Sequence, residues 1–324
     1  MILIRVHDSG LGNQMFIYAL GTVLKKKFPT HDIKYNVYGL SDKVAGRRMR
    51  SIGDSFEFHV DVALTKDIRR ITGCKYCYEI PIITKVLRRN DRNMKKYMEF
   101  IWSHRQPVKS TKFFDELALL SKRDTVASRV IEYPFQRNRD YYLMGLWQST
   151  AYFEDYADEV RNVFSFVNKD LVNTAIAKKI KKTNSVSVHV RRGDYCHKYT
   201  DRKFDICGME YYKEAIRYVE EKIKNPHFFF FSDDMEYVKK SFSFVKNKTL
   251  VVGHCDVDDM QLMSICKHNI TANSTFSFWG AFLNKNENAV VVTPMTQYQQ
   301  RLGQKRWKNI LQPYCESWHR IENV

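Results

Sequence analysis

The second half of the chain alternates short apolar segments with helical ones, and this alternation constrains the fold more than any other feature. Val186, Val188 and Val190 occupy alternate positions of a strand predicted at residues 185–190. Further strands are predicted at residues 228–231, 250–252, 269–272 and 289–293, and the helices between them at residues 209–223, 233–242, 258–267 and 274–283. Strands that alternate with helices form a mostly parallel sheet that helices cover on both faces.

The first residues predict the opening unit of another α/β domain. Ile2 to Val6 predicts a buried strand, Gly10 to Gln14 a turn, and the apolar spacing from Met15 to Phe28 a helix. A chain of 324 residues is long enough for about two domains. The predicted fold class is therefore α/β, with Rossmann-like domains at residues 1–150 and 151–324.

Polar residues follow three predicted strands of the second half, at the point where each strand ends. They are Arg191 and Arg192 after the strand that carries His189, then Ser232, Asp233 and Asp234, and finally Asn273, Ser274, Thr275 and Phe276. In open parallel sheets ligands bind at the carboxyl ends of the strands. These side chains are therefore the candidates for a binding site.

Two consecutive arginines at a strand tip suit a diphosphate, because planar guanidinium groups donate bidentate hydrogen bonds to phosphate oxygens. Gly193 permits a sharp turn after them, and Asp194 can hold one arginine in place. An ordinary surface turn of arginine and aspartate has the same pattern, so the tetrapeptide alone leaves both interpretations open.

The other two strand ends are equally open when each is taken alone. Asp233 is predicted as the N-cap of the following helix, and the second acid of the pair could accept hydrogen bonds from a guanine. Ser274 and Thr275 precede a helix, where hydroxyls and backbone N–H groups form a phosphate site or an ordinary cap. Three such ends in one sheet favour a ligand site.

The net charge of +17 indicates an anionic partner, which for such a chain is a nucleic acid, a membrane surface or a small molecule. Residues 32–135 predict only short helices and loops, and within them basic residues interleave with apolar ones over residues 66–112. That segment suits either an anionic membrane surface or a merely solvated face. No nucleic-acid module is recognisable, so nucleic acid is not expected as a partner.

Several motifs together resemble one known family. The segment His189-Val190-Arg191-Arg192-Gly193-Asp194 matches the H-x-R-R-x-D signature of α1,2-, α1,6- and protein O-fucosyltransferases. Residues 10–16, 145–149, 232–234 and 273–281 are similar, in order, to motifs of the α1,2-fucosyltransferases, glycosyltransferase family 11. The resemblance extends from residue 8 to about residue 283, and Phe278 stands where the family usually has Trp.

The resemblance implies a GT-B architecture, in which two Rossmann-like domains face a cleft. It implies an N-terminal domain on the acceptor side, a C-terminal domain that binds GDP-fucose, and inversion at the anomeric carbon without a metal or other cofactor. The implied acceptor is a β-galactoside that receives fucose on its 2-hydroxyl. The alternatives are another linkage made by the same site, and a non-catalytic protein that binds a GDP-sugar or a glycan.

The resemblance also suggests a role for each candidate residue. Arg191 is expected at the β-phosphate, with Arg192 assisting or locked by Asp194, and His189 and Asp233 at the guanosine. The phosphates and ribose are assigned to Asn273, Ser274, Thr275 and Phe276. The loop that closes the cleft near the acceptor hydroxyl is assigned to Gly12, Asn13 and Gln14, with Asn13 as a catalytic residue. A general base is not distinguished among Asp8, His197, Asp201 and Asp205.

Neither a metal site nor a membrane span is expected. Asp256-Val257-Asp258 is a D-x-D sequence, interpreted as a helix cap and dipole complement rather than a metal ligand. Cys74 and Cys77 form the one C-x-x-C, with no second pair at a zinc-site distance. The opening residues do not resemble a signal peptide, and apolar runs are short, so we expect a cytoplasmic protein at the inner face of the membrane.

Overall fold

The computed structural model describes residues 1–6, 10–37, 43–44, 47–48, 52–72, 135, 137, 139–143, 145–196, 207–295 and 314–323. It divides into two compact units, the first comprising Met1–Gly53 and Phe58–Trp147 and the second Asp54–Glu57 and Gln148–Val324. The main division therefore lies between Trp147 and Gln148, three residues before the boundary predicted between residues 150 and 151. Most of the basic segment 66–112 lies outside the described residues, as do Cys74 and Cys77.

The first unit is built on a three-stranded parallel sheet with its earliest strand in the centre. Its strands are β1 (Ile2–Arg5), β2 (Ile33–Asn36) and β5 (Tyr141–Leu143). Two short strands, β3 (Lys43–Val44) and β4 (Arg47–Arg48), pair antiparallel with each other as a separate sheet. Helices α1 (Leu11–Lys27) and α3 (Thr65–Thr72) belong to this unit, and α2 (Ile52–Ser55) crosses the division between Gly53 and Asp54. Buried Leu3 and Tyr142 pack with Ile68 and Ile71 of α3.

Two predictions for the first unit are wrong. The predicted turn at residues 10–14 is the start of α1, because Gly10 is the N-cap and its carbonyl accepts the N–H groups of Asn13 and Gln14 at 3.0 and 3.2 Å. Gly12, Asn13 and Gln14 are therefore helical rather than a loop. Strand β2 was not predicted, since its alternation comprises only two apolar positions, Ile33 and Tyr35, and pairing with β1 reveals it.

The second unit is built on six parallel strands, in which the strand of the arginine motif is central. They are β6 (Asn184–Val190), β7 (Pro226–Ser232), β8 (Lys248–Leu250), β9 (His268–Ile270), β10 (Val291–Pro294) and β11 (His319–Ile321), in the order β11-β10-β9-β6-β7-β8. The helices are α4 (Ala157–Val163), α5 (Ala175–Lys182), α6 (Met209–Lys222), α7 (Met235–Ser241), α8 (Asp256–Ser264) and α9 (Thr275–Phe282).

Helices cover this sheet on both faces, as the strand pattern predicted. Val186 and Phe228 pack with Tyr212 of α6 on one face, and Phe229 packs with Leu262 of α8 on the other. Phe278 is fully buried against Trp279 and Trp318, so its replacement of the family's usual Trp is accommodated by aromatic packing. The predicted α/β class is confirmed, whereas the cleft of a GT-B arrangement concerns the placement of the two units and stays a prediction.

The second unit also contains short elements that the alternation of strands and helices did not reveal. They include 3-10 turns at Thr150–Tyr152, Glu154–Tyr156, Asp170–Asn173 and Gly193–Cys196. The final strand, β11, was not predicted, because its three residues carry too little apolar pattern. Among the described helices, none is both long and apolar enough to cross a membrane.

Candidate active site

The three polar strand ends singled out in the sequence are neighbours in the structure. Strands β9, β6 and β7 lie side by side and run parallel, so their carboxyl ends meet at one edge of the sheet. This edge carries His189 and the two arginines in the centre, with the acids after β7 on one side and the start of α9 on the other. The structure thus brings the predicted donor-side residues together.

The first arginine is held by an acid of the neighbouring strand. Arg191 Nη1 lies 2.8 Å from Asp233 Oδ2, and the two side chains are 23% and 14% exposed. The other oxygen, Oδ1 of Asp233, accepts the backbone N–H of Arg192 at 2.9 Å. A Cβ on Gly193 would lie 2.3 Å from Asp233 Oδ2, so this close approach of backbone and carboxylate requires glycine.

The predicted N-cap of α7 was off by one residue. Asp234, not Asp233, occupies the cap, and its Oδ1 accepts the N–H of Tyr237 at 3.0 Å. The reason lies in Ser232, whose Oγ donates to the Val190 carbonyl at 2.7 Å and accepts the Asp234 N–H at 3.0 Å. This bond ties the ends of β6 and β7 together and delays the helix, which leaves Asp233 to reach the arginine motif.

The second arginine, Arg192, contacts residues of α7 and its N-cap rather than Asp233. Arg192 Nε lies 3.2 Å from Asp234 Oδ2, and its guanidinium carbon lies 3.6 Å from the centre of the Tyr237 ring. The sequence suggested Asp194 as the lock for Arg192; the side chain of Asp194 lies outside the described residues, and Asp234 is the partner observed. Sequence reasoning missed Tyr237, although it stands at the third position after the capping acid.

His189 is buried in the middle of this edge, with 4% of its surface exposed. Burial and the nearby cation of Arg191 lower the pKa of His189 to about 3, against the opposing effect of the Asp233 carboxylate. The ring is therefore neutral near neutral pH. Its centre lies 5.4 Å from that of Phe276, and its Nδ1 has no hydrogen-bond partner among the described residues. A buried polar atom of this kind usually meets a ligand or a water.

The third strand end leads into the first turn of α9. Asn273 is fully buried, and its Oδ1 lies 3.5 Å from Cys207 Sγ. Ser277 Oγ accepts the Ala272 N–H at 2.8 Å and so ties the loop to the helix. Ser274 occupies the N-cap position, but its side chain makes no capping hydrogen bond within the described helix. Ordinary side-chain capping by Ser274 is thus not formed, and the positive end of the helix dipole faces this edge.

Other predicted site residues are placed elsewhere or not described. Gly12, Asn13 and Gln14 belong to the first turn of α1 in the first unit, and their expected role toward an acceptor stays a prediction. The candidates for a general base all lie outside the described residues: Asp8, His197, Asp201 and Asp205.

The D-x-D sequence lies in the first turn of α8, as the dipole interpretation predicted, but it does not supply the cap. Cys255 is the N-cap, Asp256 Oδ1 accepts the Val257 N–H at 3.0 Å, and Asp258 Oδ1 accepts the Asn168 amide at 2.9 Å. Burial and the two flanking acids raise the pKa of Asp259 to about 7. In the described part of the chain, no group of three or more His, Cys, Asp or Glu residues could hold a metal ion.

This edge of the sheet is suited to an anionic ligand. A guanidinium has five N–H donors, so one arginine can contact a carboxylate and a phosphate at once. Arg191 and the start of α9 flank the buried neutral ring of His189 within the second unit. The arrangement can therefore stabilise negative charge that grows on a leaving phosphate and hold a planar ring system by hydrogen bonding.

Comparison with known proteins identifies the family of this chain. The family model described as glycosyl transferase family 11 matches residues 118–321. An α-1,2-colitosyltransferase of Escherichia coli is 34% identical over 66% of this chain and 74% of its own length. The O-antigen biosynthesis glycosyltransferase WbnK of Escherichia coli is 31% identical over 94% of this chain and 98% of its own. A galactoside α-(1,2)-fucosyltransferase 1 of Leontocebus fuscicollis is 31% identical over 30% of this chain and 28% of its own.

Proposed function

This chain belongs to glycosyl transferase family 11, and from that premise we propose that it transfers L-fucose from GDP-fucose to the 2-hydroxyl of a terminal β-galactoside. The acceptor would be a precursor of a cell-surface glycan, and the transfer would invert the anomeric carbon without a metal. The observation that carries the proposal is the Arg191–Asp233 pair beside the neutral His189, at the carboxyl edge of a parallel sheet and next to a helix start.

Arg191 would act on the leaving group. When the acceptor oxygen attacks C1 of fucose, its hydroxyl proton is released, the bond from C1 to the β-phosphate oxygen breaks, and GDP departs with additional negative charge. A fixed guanidinium stabilises that charge more in the transition state than in the bound donor, which is what lowers the barrier. Asp233 forms an ion pair with Arg191 and accepts a hydrogen bond from the backbone N–H of Arg192. Its role is therefore to hold Arg191 in place rather than to bind the guanosine alone.

His189 would bind the guanosine as a neutral hydrogen-bonding group. Because burial and Arg191 hold its pKa well below the ordinary value, it does not exchange a proton at the pH of the reaction. The side chain of Phe276 lies beside it, and the N-terminal turn of α9 would take the phosphates and ribose through Asn273, Ser274 and Thr275. The first turn of α1, with Asn13, would approach the acceptor hydroxyl.

The direct test is incubation of the purified protein with GDP-fucose, lactose and EDTA, followed by NMR of the product. A fucose linked α to the galactose 2-hydroxyl supports donor, acceptor, linkage and inversion together. Turnover lost in EDTA and restored by a divalent metal would contradict metal independence. Product fucosylated at another position would assign a different linkage, and GDP binding without any turnover would favour a non-catalytic protein.

A second candidate donor is favoured by one comparison. The relative named an α-1,2-colitosyltransferase shares 34% identity with this chain. The same assay with GDP-colitose in place of GDP-fucose distinguishes the two donors. Both contain the same guanosine diphosphate, so any difference in rate comes from the sugar. A ratio of kcat/KM that favours GDP-colitose would replace fucose with colitose in the proposed function and leave the site assignment unchanged.

We also propose a peripheral contact with an anionic membrane from the cytoplasmic side. Its support is the net charge of +17 and the lysines before each of β6 to β10. These are Lys181, Lys182, Lys224, Lys246, Lys267 and Lys285, at the sheet edge opposite the candidate site, and the ion pairs of the described residues include none of them. Co-sedimentation with phosphatidylglycerol vesicles that disappears with phosphatidylcholine vesicles is expected; equal recovery in both pellets would contradict it.

A further inference from the structure

We propose that Arg192 is a positioning residue, clamped between Asp234 and Tyr237, and that this clamp sets the orientation of Arg191 toward the departing diphosphate. The inference rests on the proposed function, since it concerns the same donor site. It assigns a role to Tyr237 and changes the role of Arg192 from a ligand of the donor to a support of the residue that is one. The paired arginines of the motif then differ in purpose.

The side chain of Arg192 is occupied from two directions. Arg192 Nε donates a hydrogen bond to Asp234 Oδ2 at 3.2 Å, and the centre of the Tyr237 ring lies 3.6 Å from the guanidinium carbon. Planar guanidinium groups stack well on aromatic faces while they donate hydrogen bonds in their own plane. With 25% of its side chain exposed, Arg192 is held in one orientation against the first turn of α7.

The clamp is connected to Arg191 through the backbone. Asp233 accepts the Arg192 N–H with Oδ1 and binds Arg191 Nη1 with Oδ2, at 2.9 and 2.8 Å. A shift of the Arg192 backbone therefore moves the carboxylate that holds Arg191. The two consecutive side chains thus have different partners, Asp233 for Arg191 and the first turn of α7 for Arg192.

The same acid joins the clamp to the helix. Asp234 Oδ1 caps α7 by accepting the Tyr237 N–H at 3.0 Å, while Oδ2 pairs with Arg192. Tyr237 thus contributes both its backbone, to the cap, and its ring, to the stack. Because Asp234 uses one oxygen for the cap and the other for the ion pair, Arg192 is bound directly to the start of α7.

The test is a cycle of Arg192→Ala, Tyr237→Leu and the double variant, each compared with the unaltered protein for kcat, KM for GDP-fucose, and GDP affinity by calorimetry. If the clamp positions Arg191, the two single variants lower kcat by a similar factor of about ten to a hundred. The double variant is then no worse than Arg192→Ala alone. Tyr237→Phe, which keeps the ring, restores kcat. The matched control is Tyr218→Leu on α6, where the ring stacks on His319.

The contrary outcome is equally specific. If Arg192 binds the diphosphate itself, Arg192→Ala weakens GDP binding far more than Tyr237→Leu, and the two losses multiply in the double variant; that result overturns the clamp. A failure of the proposed function is seen separately, because the unaltered protein would then not transfer fucose from GDP-fucose before any variant is compared. Circular dichroism at the assay temperature confirms that each variant is folded.

Discussion

Arg191 Nη1 and Asp233 Oδ2 lie 2.8 Å apart across two neighbouring parallel strands, with a neutral histidine beside them. This pair fixes the one guanidinium that the proposed mechanism requires at the leaving group. The acid neutralises the arginine before the donor binds, so the cation is ordered without being exposed as an isolated buried charge. A donor diphosphate would add a second anionic partner to the same guanidinium.

The first prediction concerns that guanidinium. Arg191→Ala should lower kcat by about 10²–10³-fold or more, because one fixed donor to developing charge is lost. Fucose transfer is measured with saturating GDP-fucose, and thermal unfolding is followed in parallel. Arg217→Ala, at an exposed arginine of α6, is the matched control and should keep full activity. Turnover of Arg191→Ala close to that of the control would remove Arg191 from the mechanism.

The second prediction separates activity from stability at two glycines. Gly193→Ala should reduce activity strongly with little change in stability, because its Cβ would meet the movable Asp233 Oδ2 at 2.3 Å and displace it from Arg191. Gly253→Ala should lower stability and leave activity unchanged. Gly253 has φ +83°, which costs an alanine about 1–2 kcal/mol of backbone strain, and nothing lies within 4 Å of a new Cβ.

Activity and urea-unfolding curves of both variants check this crossed pattern. A Gly193→Ala protein that keeps its activity would show that Asp233 does not need its present place. A Gly253→Ala protein that loses activity at full stability would show that the loop after β8 belongs to the site.

The third prediction is a pH dependence that comes from His189. Its pKa is about 3 in the folded protein and near 6.5 in the unfolded chain, so between these values the unfolded state binds more protons. The contribution of His189 to the free energy of unfolding is complete above about pH 6.5 and is lost as the pH falls toward 3. The free energy changes by at most about 1.4 kcal/mol per pH unit. His189→Phe removes that contribution.

The measurement is the free energy of unfolding in urea at several pH values from 4 to 7, for both proteins. The difference between the two curves isolates His189 from other titrating groups. Parallel curves would mean that the ring is charged in the folded state or accessible to water, and would remove the argument for a neutral guanosine contact.

The location of the candidate site could be predicted from the sequence, whereas the pairing of side chains within it could not. Strand alternation and parallel topology are enough to bring His189, Asp233 and Asn273 to one edge. The choice between Asp233 and Asp234 as cap depends on one hydrogen bond of Ser232, which no pattern of residue types reveals. Tyr237 was missed because a stack across two elements leaves no spacing signal.

The start of α1 was missed for a related reason. A glycine after a strand predicts a turn in the sequence, but burial of Leu11 and Gln14 in the packed unit favours an immediate helix. Tertiary packing therefore determines the first residue of α1, which local sequence propensity leaves ambiguous.

The last prediction concerns the acidic first turn of α8. The pKa of Asp259 is about 7 in the folded protein and 3.8 for the free side chain, so between these values the folded state binds more protons. The stability of the neutral carboxyl is present at low pH and is lost as the pH rises through 7. Asp259→Asn should therefore stabilise the protein at pH 8 and change little near pH 4, because the amide stays neutral.

Thermal unfolding at these two pH values checks the expectation. The matched control is Glu236→Gln, at an acid in the first turn of α7 that does not contribute to the raised pKa of Asp259. Removing its charge should lower stability at pH 8 by about 0.3–1 kcal/mol, through the lost interaction with the helix dipole. If Asp259→Asn were as destabilising as that control, the dipole would outweigh burial at residue 259, and Asp259 would be charged at neutral pH.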